Sequence, residues 1–275
     1  MYYEPTHIYY MNTIQCNQRC TKCSHWKYKD KNERLPVKNI IDAIRAIKTA
    51  KELCIVGGEP LLFKNEIYGI LSGISKTQVR TVIITNGVPM DEQFIERIKQ
   101  YNIHIVVSID TVDRGFWKFV RGTNSYDRVF SNIEIAIKRL APTQLSIQSV
   151  LSEETQSHMT AVADYANNRN LYHSIQDYIA EGFEGSWTPV EKKHAKIPTY
   201  GQKCFAADRN LSIMQNGDVH TCFQQNWIED CALALGNLNT ETIDKILMKS
   251  YTKMVSQKMR ICDLPCKVLK CNTQN

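Results

Sequence analysis

The sequence has no apolar run approaching about 18 residues, which excludes a transmembrane helix. Its start, MYYEPTHIYYMNTIQC, lacks both a basic n-region and an apolar h-region. A signal peptide is therefore not expected, and the cytosol is the expected compartment, with no membrane partner. There is no internal repeat and no low-complexity segment. Charge of one sign is not concentrated either: 34 Lys and Arg against 28 Asp and Glu give +6, but the basic residues are spread along the chain. A nucleic-acid partner is therefore not expected. With 43% apolar and 23% charged residues the chain is globular, which excludes disorder. At 275 residues it has room for one main domain of the size of a barrel plus a small appendage.

Cysteine is abundant, with ten in a chain read as cytosolic. Disulfides are disfavoured there, so grouped cysteines point to metal. If eight of them are cluster thiolates, +6 overstates the real charge, because each thiolate has lost a proton.

Periodicity gives alternating strands and helices. Strands are expected at His7–Asn12, Leu53–Val56, Thr81–Thr85, Ile103–Ile109, Leu145–Val150 and Tyr172–Tyr178. Helices are expected at Pro36–Ala50, Glu66–Ile74, Asp91–Tyr101, Tyr126–Leu140 and Gln156–Asn167. Such alternation implies right-handed βαβ units and a parallel sheet. Six units are too few for a closed eight-stranded barrel, so the fold class is α/β, a partial (β/α)6 TIM-like barrel. The pattern changes after about Trp187. Leu211–Met214 and Asp218–Cys222 around Asn216-Gly217 read as a hairpin with a two-residue turn, followed by a helix at Thr240–Ser250. This gives a barrel over 1–185 and a cysteine-rich α+β appendage over 186–275.

Cys16, Cys20 and Cys23 form a CxxxCxxC run after the first strand. Three thiolates on a tight loop suit an iron–sulfur cluster with one iron lacking a protein ligand. A structural zinc site is the competing reading, with His25 as the fourth ligand. Gly57-Gly58-Glu59-Pro60 ends the second strand, where two glycines permit close backbone approach. Asn86, Ser108 with Asp110, and Gln148 with Ser149 end the third, fourth and fifth strands. Active sites of parallel barrels lie at such ends, so these residues share one mouth.

The Cys16-Cys20-Cys23 run followed by GGEP resembles the radical S-adenosylmethionine (radical SAM) superfamily over about residues 7–180. The resemblance implies that the three cysteines hold a [4Fe–4S] cluster whose open iron chelates the amino and carboxylate groups of SAM. It implies that Glu59 and the backbone of Gly57, Gly58 and Pro60 meet the SAM amino group. Ser108 matches a position contacting the ribose or carboxylate, and Arg121, after a Trp/Phe-rich turn, matches the arginine that pairs with the carboxylate. Asn86, Asp110 and Gln148 complete the expected cofactor-binding set. Where the family often carries an aromatic just before the third cysteine, this chain has Lys22; Trp26 is then the aromatic available to the adenine. A flavodoxin- or ferredoxin-like protein is the implied electron donor.

The appendage carries Cys204, twelve residues, Gly217, four residues and Cys222, then Cys262, Cys266 and Cys271. This resembles the Twitch or SPASM appendage of radical SAM enzymes; a zinc ribbon is the alternative. Full SPASM domains need seven or eight thiolates, more than this segment holds. One auxiliary [4Fe–4S] cluster is expected, on Cys204, Cys222 and two of Cys262, Cys266 and Cys271. Cys54 and Cys231 remain. Alternation from Leu53 and Ile55 turns Cys54 the other way, and either thiol is a candidate catalytic hydrogen donor, as in resembling peptide epimerases. His104, His173 and His220 read as structural.

The expected activity is oxidation of a small-molecule or peptide substrate by two electrons, in natural-product or peptide modification. Redox-neutral epimerisation is the alternative within the class, and a non-catalytic metal- or nucleic-acid-binding module the alternative outside it. Fifteen residues precede Cys16, too few for a leader-peptide-binding domain, which weighs against a ribosomal peptide.

Overall fold

The structure, a computed structural model, describes residues 3–27, 33–178, 204, 206–225 and 228–262. Its first half alternates β1 (His7–Thr13), α1 (Val37–Ala46), β2 (Glu52–Gly57), α2 (Lys64–Ile74), β3 (Arg80–Thr85), α3 (Glu92–Ile98) and β4 (Ile103–Ser108). Then come α4 (Arg114–Arg121), α5 (Tyr126–Arg139), β5 (Leu145–Leu151), α6 (Met159–Asn167) and β6 (Tyr172–Asp177). The last part holds α7 (Ala206–Arg209), β7 (Asn210–Ile213), β8 (Asp218–His220), β9 (Gly236–Asn237), α8 (Ile243–Met248) and α9 (Ser250–Arg260).

Among the described residues the strands form one open sheet in the order β6-β5-β4-β3-β2-β1-β7-β8-β9, parallel from β6 through β7. The expected partial barrel is therefore present, with its sheet left unclosed. Period-2 alternation sorts its faces. Ile8 and Tyr10, Leu53 and Ile55, Ile103, Ile105 and Val107 are buried in the main core with α1, α2, α3 and α5. Tyr9 and Cys54, which face each other in register, alternate onto the opposite face. Helix starts follow their caps: the Asp91 carboxylate accepts the Phe94 N–H of α3, and Asp113 accepts the Gly115 and Phe116 N–H groups of α4.

Three features depart from the sequence reading. The Trp/Phe-rich turn before Arg121 is the helix α4, capped by Asp113 and ended at Gly122 in the left-handed region. The hairpin loop is three residues, 215–217, rather than two. Gly217 N–H bonds the Met214 carbonyl and Met214 N–H the Asp218 carbonyl, and Gly217 takes the positive φ that a type I turn with a G1 bulge requires. The helix expected at Thr240–Ser250 is the shorter α8, and a further helix, α9, follows it after Lys249, whose extended ψ of 146° separates the two.

The hairpin also does not stand apart. Its first strand, β7, pairs in parallel with β1, placing Tyr9 beside Ser212 and Tyr10 beside Ile213. The cysteine-rich segment thus extends the barrel sheet directly.

Candidate active site

Strands β1 to β5 run parallel and adjacent, so their C-terminal ends open on one side, as the motif placement requires. The cysteine run leaves β1 and is held at both ends. At the near end, Gly58 N–H donates to the Thr13 carbonyl (2.8 Å) and Glu59 N–H to the Gln15 carbonyl (2.7 Å). A Cβ on Gly57 would lie 2.2 Å from the Thr13 carbonyl oxygen, and one on Gly58 2.1 Å from that of Gln15. The glycine pair therefore lets the end of β2 lie against the cysteine loop itself. At the far end, the Arg19 and Thr21 N–H groups donate to the Arg121 and Val120 carbonyls at the end of α4, at 3.1 and 3.2 Å.

Glu59 has no exposed surface. Its carboxylate accepts the Leu61 N–H (2.9 Å), the Thr85 hydroxyl (2.7 Å) and the Asn86 N–H (2.7 Å), tying β2 to the end of β3. Burial pushes its pKa up to about 7 against those three donors. Asn86 is itself a clamp, donating from its amide to the Asn17 Oδ1 at 2.7 Å and pointing at the Cys16 Sγ at 3.8 Å.

Asp110 sits between two cations. Lys22 Nζ lies 2.6 Å and Arg121 Nη2 2.9 Å from its Oδ2, and its Oδ1 accepts the Val150 N–H at 2.8 Å. Burial pushes the Asp110 carboxyl up, but Lys22 and Arg121 together draw it below its ordinary value. Arg121, 2% exposed, also donates to the Ser108 carbonyl (2.5 Å) and aims Nη1 at the Cys20 Sγ (4.0 Å). Its Nε is buried with no hydrogen-bond partner among the described residues. Gln148 donates to Gln176 on β6, and the Ser108 hydroxyl is half-buried beside it in register.

The structure thus gathers Cys16, Cys20, Cys23, Gly57, Gly58, Glu59, Asn86, Asp110 and Arg121 into one bonded neighbourhood, with Ser108 and Gln148 beside it. Sequence reasoning missed Lys22 as the partner of Asp110, since 88 residues separate them. It missed Thr85, Asn17 and Gln215 for the same reason. Gln215, in the hairpin loop, accepts the Ile14 N–H through its side chain (2.8 Å) and the Leu35 N–H through its carbonyl (2.6 Å). Trp26 donates from its indole to the Cys20 carbonyl (3.2 Å), and Arg19 and Lys27 lie over its ring.

In the appendage Cys204 is buried in the main core, and the half-buried Cys222 packs against the edge of that core. Cys231 is fully buried, with Cys262 near enough that its charge would add to the burial raising the Cys231 pKa. Cys266 and Cys271 lie outside the described residues. Cys54 is on β2, one face away from the core. His104 bonds Thr143 and Ser146, and His173 bonds Ser149.

Comparison with known proteins supplies the class. The radical SAM superfamily model matches residues 13–166, and the SPASM model, an iron–sulfur cluster-binding domain, matches 204–272. The chain belongs to the radical SAM superfamily. A probable GTP 3′,8-cyclase from Archaeoglobus fulgidus is 26% identical over 200 residues, 68% of this chain and 66% of the relative. The radical SAM cyclopropyl synthase TigE from Paramaledivibacter caminithermalis is 26% identical over 180 residues, 57% of this chain and 38% of its own. The chain thus spans between about two-fifths and two-thirds of the length of these relatives. Among solved structures, Streptococcus suis SuiB bound to S-adenosylmethionine superposes with a TM-score of 0.76 at 17% identity, covering 97% of this chain and 74% of SuiB. Another SuiB structure is bound to the precursor peptide SuiA. These likenesses establish the partial-barrel fold.

The residues present fit the cofactors of the family, SAM and [4Fe–4S] clusters. Three thiols share one loop, and the Gln18 N–H (3.4 Å) and Asn86 amide reach Cys16 while Arg121 reaches Cys20. Such N–H···S bonds suit cluster thiolates. Burial pushes the Cys16 thiol up to about 11, with Cys20 and Cys23 adding to the effect, and burial likewise raises Cys23. Loss of these protons is therefore coupled to metal binding. The unpartnered Arg121 Nε is a buried donor facing the same neighbourhood. Among the described residues no helix is long and apolar enough to cross a membrane.

Proposed function

We propose that this radical SAM enzyme oxidises a peptide or small-molecule substrate by two electrons, with one auxiliary [4Fe–4S] cluster as electron acceptor. When bound, SAM and its cluster supply a 5′-deoxyadenosyl radical that abstracts a substrate hydrogen. Cys16, Cys20 and Cys23 would hold that cluster. Glu59 locks Gly57, Gly58 and Pro60 in the position that receives the SAM amino group. Arg121 is oriented by Asp110 to take the SAM carboxylate, Ser108 and Gln148 face the mouth, and Asn86 steadies Cys16. Cys204, Cys222 and two of Cys262, Cys266 and Cys271 would hold the auxiliary cluster. A flavodoxin- or ferredoxin-like protein is the proposed electron donor and natural-product or peptide modification the setting; the peptide bound by SuiB supports a peptide substrate.

One observation carries the reading. Gln215 lies between the two motif cysteines of the hairpin, and its side chain accepts the N–H of Ile14, two residues before Cys16. The two cysteine-bearing segments are therefore joined by a direct hydrogen bond, which supports an auxiliary cluster within reach of a substrate radical formed at the first. A second reading is epimerisation with Cys54 as hydrogen donor, favoured by its placement opposite the core face.

Turnover in deuterated water separates the two. Oxidation yields a product two hydrogens lighter with no solvent deuterium at the reacting carbon. An isomeric product made about one mass unit heavier by a single solvent deuterium at the reacting carbon, lost in Cys54→Ala, would establish epimerisation instead. Cys204→Ala is expected to stop substrate oxidation while sparing uncoupled SAM cleavage.

A further inference from the structure

Tyr3 is 7% exposed, and its hydroxyl is buried without a hydrogen-bond partner among the described residues. A buried tyrosine hydroxyl normally finds one. Leaving such a group unpaired costs about 1–3 kcal/mol. β1 and β7 run parallel with His7 beside Asn210, so the chain before β1 runs beside α7 and the segment that follows Cys204. The segment carrying Tyr3 is fixed: Thr6 N–H donates to the Arg209 carbonyl (2.8 Å), at the junction of α7 and β7. Burial raises the Tyr3 pKa, and charge on Cys222 and then Cys204 would raise it further, so both thiols are electrostatic neighbours of the hydroxyl. A buried donor with nothing among the described residues to receive its proton thus lies beside the segment that carries Cys204.

We propose that Tyr3 is a positioning residue that donates a hydrogen bond to a sulfur of the auxiliary cluster and raises its reduction potential. The inference rests on the assignment of Cys204 and Cys222 as cluster ligands. A hydrogen bond to a cluster sulfur stabilises the reduced, more negative state, and so favours acceptance of an electron. In an enzyme that passes its substrate's electron to this cluster, Tyr3 makes the cluster a better acceptor without touching substrate.

The test is a redox titration of the reconstituted protein, wild type against Tyr3→Phe, followed by electron paramagnetic resonance. SAM perturbs only the signal of the cluster on Cys16, Cys20 and Cys23, which identifies the auxiliary signal. Phe keeps the ring in the core and removes only the hydroxyl. The expected result is a fall of about tenfold in the reduction equilibrium, which is about 59 mV for one electron, with the SAM-responsive cluster unmoved. An auxiliary potential unchanged in Tyr3→Phe would overturn the inference and leave the ligand assignment intact. Iron for only one cluster in the wild type would overturn the assignment beneath it. If Tyr3→Phe fails to assemble the cluster, the measurement passes to wild-type protein containing 3-fluorotyrosine. Its more acidic phenol strengthens the bond and should raise the auxiliary potential; no rise would overturn the inference.

Discussion

Glu59 has both carboxylate oxygens occupied by donors, yet burial raises its pKa to about 7. A carboxyl whose folded pKa exceeds its unfolded value contributes stability that is full below about 4.5 and is lost as pH rises through about 7. Below that pH the Thr85 hydroxyl, free to rotate, can accept the acid proton. The stability of metal-free wild type relative to Glu59→Gln should therefore be greater near about pH 5 than near about pH 8; thermal denaturation at the two pH values checks this. Arg121 and Lys22 divide one carboxylate, Asp110, in a site with almost no exposure. Removing either leaves the other pair intact, so Arg121→Ala and Lys22→Ala should each cost about 2–3 kcal/mol in urea unfolding. The double variant should exceed their sum, since Asp110 is then buried alone. Arg121→Ala should also raise the SAM Kd by roughly 1.5–3 kcal/mol in binding terms if it meets the carboxylate; an unchanged Kd would place that contact elsewhere.

Between elements, the closest approach is that of the end of β2 to the cysteine loop. Gly58→Ala would drive a methyl to 2.1 Å from the Gln15 carbonyl, a contact that backbone on both sides cannot relieve. The expected outcome is about 2–3 kcal/mol of lost stability and a marked loss of iron from the first cluster, read by metal analysis of the reconstituted protein. The glycine pair was legible in the sequence as a place of close approach. What it approaches was not, because the contact joins segments more than forty residues apart. The helix α4 was missed as well. Asp113 and Gly122 bracket it with ordinary cap signals, and Trp117, Val120 and Arg121 share its buried face, yet the segment read as a turn because its eight residues show a buried face only once the cysteine loop packs against its end. Strands β2 to β5, by contrast, announced themselves through apolar runs bounded by polar ends, while β6, with the sequence YHSIQD, gave a much fainter signal. Nothing local encodes the pairing of β7 with β1. Leu211 and Ile213 read equally well as the core of a separate hairpin, and only tertiary packing makes them neighbours of Ile8 and Tyr10.

For the whole molecule, two centres on one sheet predict separable metal content. Replacing Cys16, Cys20 and Cys23 together by Ala should remove about four irons, abolish 5′-deoxyadenosine formation and leave an auxiliary spectrum. Continued reductive cleavage of SAM by that variant would refute the first site. The pairing of β7 with β1 has a consequence for how the molecule can be divided. A chain ended at residue 185 keeps every barrel element through β6, but strips β1 of its neighbour on one side. It would present the N–H and C=O groups of residues 7–10 as an open template, flanked by Tyr9 and Tyr10, and would free the Ile14 amide that Gln215 accepts. Unpaired apolar edges recruit one another. Such a fragment should sediment as a self-associated species rather than a monomer. In the intact chain the same amides should be among the slowest to exchange with deuterated water, because β1 is bonded on both sides, while those of β6 and β9 at the sheet margins exchange first.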